Sequence, residues 1–334
     1  MTRPASRIAI LGAGAWGTAL ALSLARRGGH QLTLWAHAPE HAEALAATRE
    51  NARYLPGFHL PPEIVVTADL HTAIRDAEII LCTTPSQSLR AVMQQIAPAL
   101  TPRQILLSAA KGVEEKTSLR MSEILAQICA NPIGVLGGPS FAQEVAAGMP
   151  TAITIAAQDS TLGKQLQLAF SSDSLRVYRN DDVIGTELGG ALKNVIALAA
   201  GVVTGLELGH NAAAALITRG LVEITRLTVA SGGRAETIAG LAGIGDLVLT
   251  CTGGLSRNRA VGIELGRGRK LAEILAGLHG KVAEGVSTTA AALGLAQRLG
   301  VEMPITEQMA AVLHQNKSPL DAIHLLMTRP GREE

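Results

Sequence analysis

The chain has 334 residues, 47% of them hydrophobic, and 29 basic against 28 acidic residues leave a formal charge of +1. That length suggests two domains with separate cores, and the balanced charge with no clustered basic face excludes nucleic acid as a partner. With only 17% charged and 2% aromatic residues, disorder and a base-stacking platform are excluded as well.

A mean hydropathy of +0.26 raises the question of a membrane. The longest apolar run, Val195 to Leu206, ends at Glu207, short of the ~18 residues a span needs. It reads as a buried core helix, so no integral membrane segment is expected. Met1 to Arg7 leads almost directly into an apolar strand pattern, without a signal-type segment. Cys82, Cys129 and Cys251 form no CxxC, and an odd number does not suit a disulfide framework; a cytoplasmic location follows.

In chain order, Arg7–Leu11 reads as a strand, Ala15–Arg27 as a helix stopped by Gly28-Gly29, and Gln31–Trp35 as the next strand. Further strands are expected at Ile64–Thr67, Glu78–Cys82, Ile105–Ser108, Ile133–Leu136, Ile153–Ala156 and Leu175–Tyr178. Helical patterns lie between most of them, notably Gln87–Leu100 and Ser118–Ala130. This alternation predicts an α/β domain of Rossmann type with a mainly parallel sheet. From Val183 to Ser231 the sequence is Ala-, Leu- and Ile-rich with helical spacing and no proline. Helices follow at Arg259–Leu265, Leu271–Leu278, Thr288–Leu299 and Ile305–Gln315. The expected organisation is a dinucleotide-binding domain over 1–185 and an all-α substrate and catalytic domain over 186–334. Gly201, Gly205 and Gly209 form a GxxxGxxxG spacing, read as close helix approach in a buried core.

Gly12-Ala-Gly14-Ala15-Trp16-Gly17 matches G-x-G-x-x-G and sits between an apolar strand and a helix. Gly12 permits the tight turn, Gly14 admits a pyrophosphate to the backbone, and Gly17 lets helix and strand pack closely. The helix N-terminus then offers free N–H groups to phosphate. The acidic residue expected ~20 positions on, which would bond the ribose of NAD, is missing. The second strand runs out in Trp35-Ala36-His37-Ala38, so nothing repels a 2′-phosphate and His37 could contact it. NADPH is therefore favoured over NADH. His37 and His41 have helical metal-pair spacing but no third ligand, so no metal is expected.

Three further segments combine glycine with polar residues: Ser108-Ala-Ala-Lys111-Gly112 after a strand, Gly137-Gly138-Pro-Ser140-Phe-Ala142 after another, and Gly189-Gly-Ala-Leu-Lys193-Asn194 in an apolar helix. Lys111 at a strand's carboxyl end faces the ligand crevice of an open sheet. Desolvation of Lys193 would lower its pKa and suit it to proton transfer, although a lysine snorkelling at a polar helix edge fits equally well. Asp246, after Gly243-Ile-Gly245, could be a helix N-cap. Ser256-Arg257-Asn258 also opens a helix, a favourable place for phosphate, or it is a plain cap.

Taken together, Gly12 to Ala19, Ala110-Lys111-Gly112, Gly138-Pro-Ser140-Phe-Ala142, Lys193-Asn194-Val195, Gly245-Asp246-Leu-Val-Leu-Thr250-Cys251, Ser256-Arg257-Asn258 and Glu284-Gly285 resemble the bacterial NAD(P)-dependent glycerol-3-phosphate dehydrogenases. The resemblance runs in order from about residue 7 to residue 320. It implies reduction of dihydroxyacetone phosphate to sn-glycerol 3-phosphate with NADP or NAD, feeding glycerophospholipid synthesis. It makes Lys193 the general acid/base, with Asp246 and Lys111 as its catalytic partners and Asn194 and Thr250 in the same cluster. Ser256, Arg257 and Asn258 would hold the substrate phosphate, with Lys111, Gly138 and Ser140 lining the site. Beside Gly12, Gly14 and Gly17, the positions Ala15, Trp16, His37, Lys111, Ala142, Arg257, Val282 and Glu284 match those touching the dinucleotide. Ala15 stands where many relatives have serine, which removes one side-chain bond to the cofactor. A homodimer is an assembly the resemblance allows.

Two other readings compete. Another 2-ketoacid or β-hydroxyacid reductase would need a carboxylate site in place of Ser256-Arg257-Asn258. A catalytically dead dinucleotide sensor would need the glycine turn but neither Lys193 nor Asp246.

Overall fold

The computed structural model describes residues 5–278 and 282–330. Its strands are β1 (Arg7–Leu11), β2 (Gln31–Trp35), β3 (Glu50–Asn51), β4 (Leu55–His59), β5 (Ile64–Thr67), β6 (Ile79–Cys82), β7 (Ile105–Ser108), β8 (Ile133–Gly137), β9 (Thr151–Ala156) and β10 (Leu175–Asn180). Eight of them form one sheet in the order β10-β9-β8-β7-β6-β1-β2-β5, while β3 and β4 pair as a separate hairpin. Every pairing in the large sheet is parallel except β8 with β9. The sheet is thus mainly parallel, as the alternating pattern predicts.

Strands covered on both faces must be apolar on both, and β1 shows how the two cores divide. Ile8 and Ile10 point into one buried cluster with α1 (Ala15–Arg27), α2 (Pro39–Thr48), α6 (Ala142–Ala146) and α7 (Ser160–Phe170). Ala9 and Leu11 point into another, with α3 (Leu70–Ile74), α4 (Leu89–Ile96) and α5 (Met121–Ile128). The chain builds outward from β1 to β2 and β5, then returns to place β6 on the other side of β1. That reversal opens a crevice at the carboxyl ends of β1 and β6, where ligands of such sheets bind.

The remaining helices are α8 (Val183–Gly205), α9 (Gly209–Ala230), α10 (Ala235–Ile238), α11 (Asp246–Thr252), α12 (Arg257–Gly266), α13 (Leu271–Ala276), α14 (Glu284–Leu299), α15 (Pro304–His314) and α16 (Pro319–Met327). By length and composition α8 could cross a membrane, but 89% of its apolar window is buried inside the protein. It is a core helix. Gly201 and Gly205 lie against α12, where an added Cβ would fall 2.2 Å from the Arg259 carbonyl and 2.3 Å from that of Ile263. Gly209 does not share this role. It has φ +83° and opens α9, with nothing near its Cβ position.

Contacts divide the chain into two compact units: residues 1–111 with 119–187, and residues 112–118 with 188–334. The sequence boundary at 185 gives no sign that 112–118 belongs with the helices. Other differences have local causes. The continuous helical pattern from Val183 to Ser231 breaks at Glu207, which adopts a left-handed conformation with φ 56° just before Gly209. The stretch Gln87–Leu100 is a helix only over α4, with 3₁₀ turns at Ser86–Ser88 and at Ala97–Ala99, the latter holding Pro98. The β3–β4 hairpin has no counterpart in the sequence reading.

Candidate active site

In the first unit, the glycine-rich turn follows β1 and opens α1. Gly12 has φ +123°, a region that L side chains rarely adopt. A Cβ on Gly17 would lie 2.0 Å from the Gly12 carbonyl oxygen and 2.5 Å from Thr83 Oγ1, so only glycine lets α1 approach the strand ends this closely. Gly14, by contrast, faces open space, with no protein atom within 4 Å of its Cβ position. Thr83, just beyond β6, ties the two strand ends together by donating its hydroxyl to the Leu11 and Gly12 carbonyls at 3.1 and 3.0 Å.

Among the described residues of this unit, three buried side-chain polar atoms lack a partner: Trp16 Nε1, Thr84 Oγ1 after β6, and Ser108 Oγ at the end of β7. Buried polar groups are normally bonded, so unmet ones at a crevice are what a polar ligand would satisfy. The open glycine, the free helix N-terminus and these atoms fit a dinucleotide. Ala15 is the first residue of α1. His37 is exposed after β2, its ring edge-on to Trp35 with centroids 5.7 Å apart.

Lys111 lies beyond β7, where its Nζ donates to the Gly138 carbonyl at 2.8 Å and to Ser140 Oγ at 3.3 Å. The same ammonium is 6.0 Å from the Trp16 ring centroid. Gly138 has φ +105°, and the turn it makes after β8 presents its carbonyl to the lysine. Ala142 begins α6. Lys111, Gly138, Ser140 and Trp16 thus form one cluster.

In the second unit, Lys193 sits within α8 at 6% exposure, with Asp246 at 1% and Thr250 at 4%. Lys193 Nζ forms a buried ion pair with Asp246 and donates to Thr250 Oγ1 at 2.9 Å. Thr250 in turn donates to the Asp246 backbone carbonyl at 2.6 Å. Gly189 makes this meeting possible. A Cβ there would lie 2.5 Å from the Ala242 carbonyl oxygen, so α8 and the π-helical turn Leu241–Gly245 touch through glycine. Lys193 follows Gly189 by one helical turn, as Asp246 follows Ala242. Lys193 is thus a buried, paired lysine and not one snorkelling at a polar helix edge. Asp246 is not an N-cap, because the π-helical turn runs straight into α11. Cys251 lies near this pair, and burial pushes its thiol up to about 12, away from nucleophilic use.

Asn194, the neighbour of Lys193, accepts at Oδ1 from Asn258 Nδ2 at 2.9 Å, and Asn258 Oδ1 accepts the Gly285 N–H at 3.0 Å. Gly285 is not among the site residues the resemblance implies, yet its Cβ position is 2.7 Å from the Asn194 carbonyl oxygen. Its sequence signal is the Glu284-Gly285 pair of the family resemblance. Ser256 caps α12 by accepting the Arg259 N–H at 3.2 Å. Arg257, the first residue of α12, keeps an exposed surface, but desolvation of its guanidinium lowers its pKa, opposed by the Glu284 carboxylate at the start of α14. Val282 is exposed two residues before α14. The second cluster therefore joins Lys193, Asn194, Asp246, Thr250 and Asn258 by direct bonds, with Arg257 and Glu284 coupled through their charges.

Comparison with known proteins places the whole chain in a family. The N-terminal family model of NAD-dependent glycerol-3-phosphate dehydrogenase matches residues 7–163, and its C-terminal counterpart matches 182–324. A glycerol-3-phosphate dehydrogenase [NAD(P)+] of Acidobacterium capsulatum is 59% identical, over 98% of this chain and all of that protein. One of Koribacter versatilis is 57% identical, over 98% of this chain and 99% of that one. The crystal structure of glycerol-3-phosphate dehydrogenase from Coxiella burnetii superposes with a TM-score of 0.94 at 42% identity, covering 97% of this chain and 99% of that chain. The fold and these full-length relatives define a nicotinamide-dinucleotide oxidoreductase. The chain belongs to the NAD-dependent glycerol-3-phosphate dehydrogenase family.

Proposed function

We propose that the chain reduces dihydroxyacetone phosphate reversibly to sn-glycerol 3-phosphate with NAD(P)H, and that Lys193 handles the proton. The observation that carries this reading is the buried Lys193 ammonium bound by Asp246 and Thr250. The dinucleotide held at Gly12, Gly14 and Gly17 would supply the hydride for the carbonyl carbon. Lys193 gives its proton to the carbonyl oxygen, and in the reverse direction takes it from the hydroxyl. Asp246 orients the lysine and stabilises its charge before transfer; Thr250 fixes the direction of the Nζ. Lys111, held in place by donating to the Gly138 carbonyl and to Ser140 Oγ, polarises the carbonyl.

The start of α12 takes the substrate phosphate, through the backbone N–H groups of its first turn and the Arg257 guanidinium. Ser256 holds that turn in shape. Gly12, Gly14 and Gly17 cradle the dinucleotide pyrophosphate, with Ala15, Trp16, His37, Ala142, Val282 and Glu284 as its further contacts. The exposed His37 and the missing acidic residue favour NADPH. A cytoplasmic location, a homodimeric assembly and a supply of glycerol 3-phosphate to phospholipid synthesis complete the proposal.

Following NADPH oxidation with dihydroxyacetone phosphate, with hydroxypyruvate and with no substrate tests it. Turnover of the phosphorylated ketone alone is expected. Turnover of hydroxypyruvate instead would favour the 2-ketoacid reductase reading, and binding without turnover the sensor. Steady-state rates with NADH should not exceed those with NADPH; a strong NADH preference would remove His37 from the cofactor site.

A further inference from the structure

The glycine-rich turn is braced from behind by a side chain outside every motif. Asn51 in β3 is completely buried. Its Nδ2 donates to the Ala13 carbonyl at 2.9 Å and to Thr18 Oγ1 at 2.7 Å, and its Oδ1 accepts the Tyr54 N–H at 3.3 Å. His41 on α2 brings Nε2 to 3.3 Å from the same Ala13 carbonyl, donating there as the Nε2–H tautomer. Its ring meets Tyr54 edge-on, with centroids 5.4 Å apart.

A trans peptide points its C=O and the following N–H in opposite directions. With the Ala13 carbonyl drawn towards Asn51 and His41, the Gly14 N–H must point the other way, on a residue that opens onto free space. A flip of this peptide would present an oxygen to the ligand in place of a donor. Gly14 offers no side chain to resist such a flip, so the resistance has to come from whatever holds the carbonyl.

We propose that Asn51 is a positioning residue for the dinucleotide: by holding the Ala13 carbonyl it aims the Gly14 N–H at the cofactor pyrophosphate. The proposal rests on the reading that residues 12–17 cradle that group. His41 assists as a second donor to the same oxygen. Preorganising a donor in this way raises affinity by removing the ordering cost of binding.

The test measures NADPH affinity by fluorescence titration, kcat and KM at saturating cofactor, and the unfolding midpoint. Asn51→Leu removes the donor at similar volume, and Asn51→Asp also sets a negative charge against the carbonyl. Both should weaken NADPH binding about tenfold, the effect of losing the shorter of two bonds to the Ala13 carbonyl and leaving it only the longer contact from His41. At saturating NADPH, kcat and the KM for dihydroxyacetone phosphate should stay near wild type. Thr18→Val removes only the other Nδ2 partner, so it should lower the unfolding midpoint while leaving NADPH affinity intact. If the Asn51 variants lower the midpoint and bind NADPH normally, Asn51 is structural and the proposal is overturned. Should they fail to fold, His41→Phe keeps the ring against Tyr54 and removes one donor; unchanged NADPH affinity there overturns the proposal too. Gly14→Asp separates the two layers. Loss of NADPH binding in that variant with normal binding in the Asn51 variants defeats the brace alone, and normal binding in Gly14→Asp defeats the cradle reading beneath it.

Discussion

Asn258 donates its side-chain amide to the Asn194 carboxamide oxygen at 2.9 Å, tying the neighbour of the candidate acid to the first turn of α12. Its other polar atom accepts the Gly285 N–H, so both ends of this buried side chain have partners within the protein. The family resemblance sets Asn258 at the substrate phosphate. These bonds point its side chain towards Asn194 and α14, leaving its backbone N–H at the helix start for an anion.

Asn258→Asp retains an acceptor for Gly285 but cannot donate to Asn194. Losing one such bond costs about 0.5–1.5 kcal/mol, roughly 2- to 10-fold in kcat/KM. The fall should be the same for dihydroxyacetone phosphate and for unphosphorylated dihydroxyacetone, because the lost contact acts through Asn194. A loss confined to the phosphorylated substrate would place the side chain on the phosphate instead.

Replacing Lys193 with Met removes the proton donor, and kcat should fall by about 10²–10⁴-fold with NADPH affinity unchanged. It also leaves the Asp246 carboxylate, 1% exposed, without its cation. Breaking such a pair from one side costs about 3–5 kcal/mol of stability. Adding Asp246→Asn should restore much of the unfolding midpoint and none of the turnover. If Lys193→Met stays within a few-fold of wild type in kcat, Lys193 is a structural lysine.

Much of this architecture was legible in the sequence, because it rests on local patterns. Apolar runs separated by helical stretches specify the strands, and Gly12, Gly14 and Gly17 are spaced for one turn. Lys193 stands out as a charge in an apolar helix. The family resemblance pairs it with Asp246, but no local pattern gives the contact, since the two lie 53 residues apart and meet where Gly189 packs on the Ala242 carbonyl. Asn51 leaves still less trace. It lies in the polar run Arg49 to Arg53, where neither period marks an element, and its burial comes from the hairpin folding onto α1.

Glu223, buried in α9, closes the N-terminus of α15 by accepting the Ile305 N–H at 2.6 Å and the Thr306 N–H and hydroxyl at 3.2 and 3.1 Å. Burial nevertheless raises its pKa from 4.5 to about 7, outweighing these donors, with the charge of Glu307 adding to the rise. The folded state therefore holds the proton more tightly than the unfolded chain. The stability this contributes is fully present below about pH 4.5 and is lost as pH rises through about 7. A rise of this size corresponds to on the order of 3 kcal/mol. Glu223→Gln cannot titrate, so the wild-type unfolding midpoint should decline relative to the variant between pH 5 and pH 8. A constant difference across that range would mean that Glu223 does not change protonation there.

The last prediction separates phosphate recognition from the chemistry at Lys193. Arg257 opens α12 beside the Ser256 cap, and Glu284 keeps company with its charge. Because the side chain is exposed, its bond to a phosphate should be worth what a hydrogen bond to a charged group usually is, about 1.5–3 kcal/mol. Arg257→Ala should then lower kcat/KM for dihydroxyacetone phosphate by roughly 10- to 150-fold. Unphosphorylated dihydroxyacetone never makes this contact, and its kcat/KM should hardly move. Arg257→Lys should restore only part of the activity, since an ammonium supplies a point charge without the planar fork. NADPH affinity, titrated separately by fluorescence, distinguishes a cofactor contact from a substrate one. An equal loss on both ketones with weakened NADPH binding would assign Arg257 to the dinucleotide. Unchanged constants for both would leave it as a solvated helix-start arginine, and the phosphate would then have to be held by Lys111 or by the backbone of α12 alone.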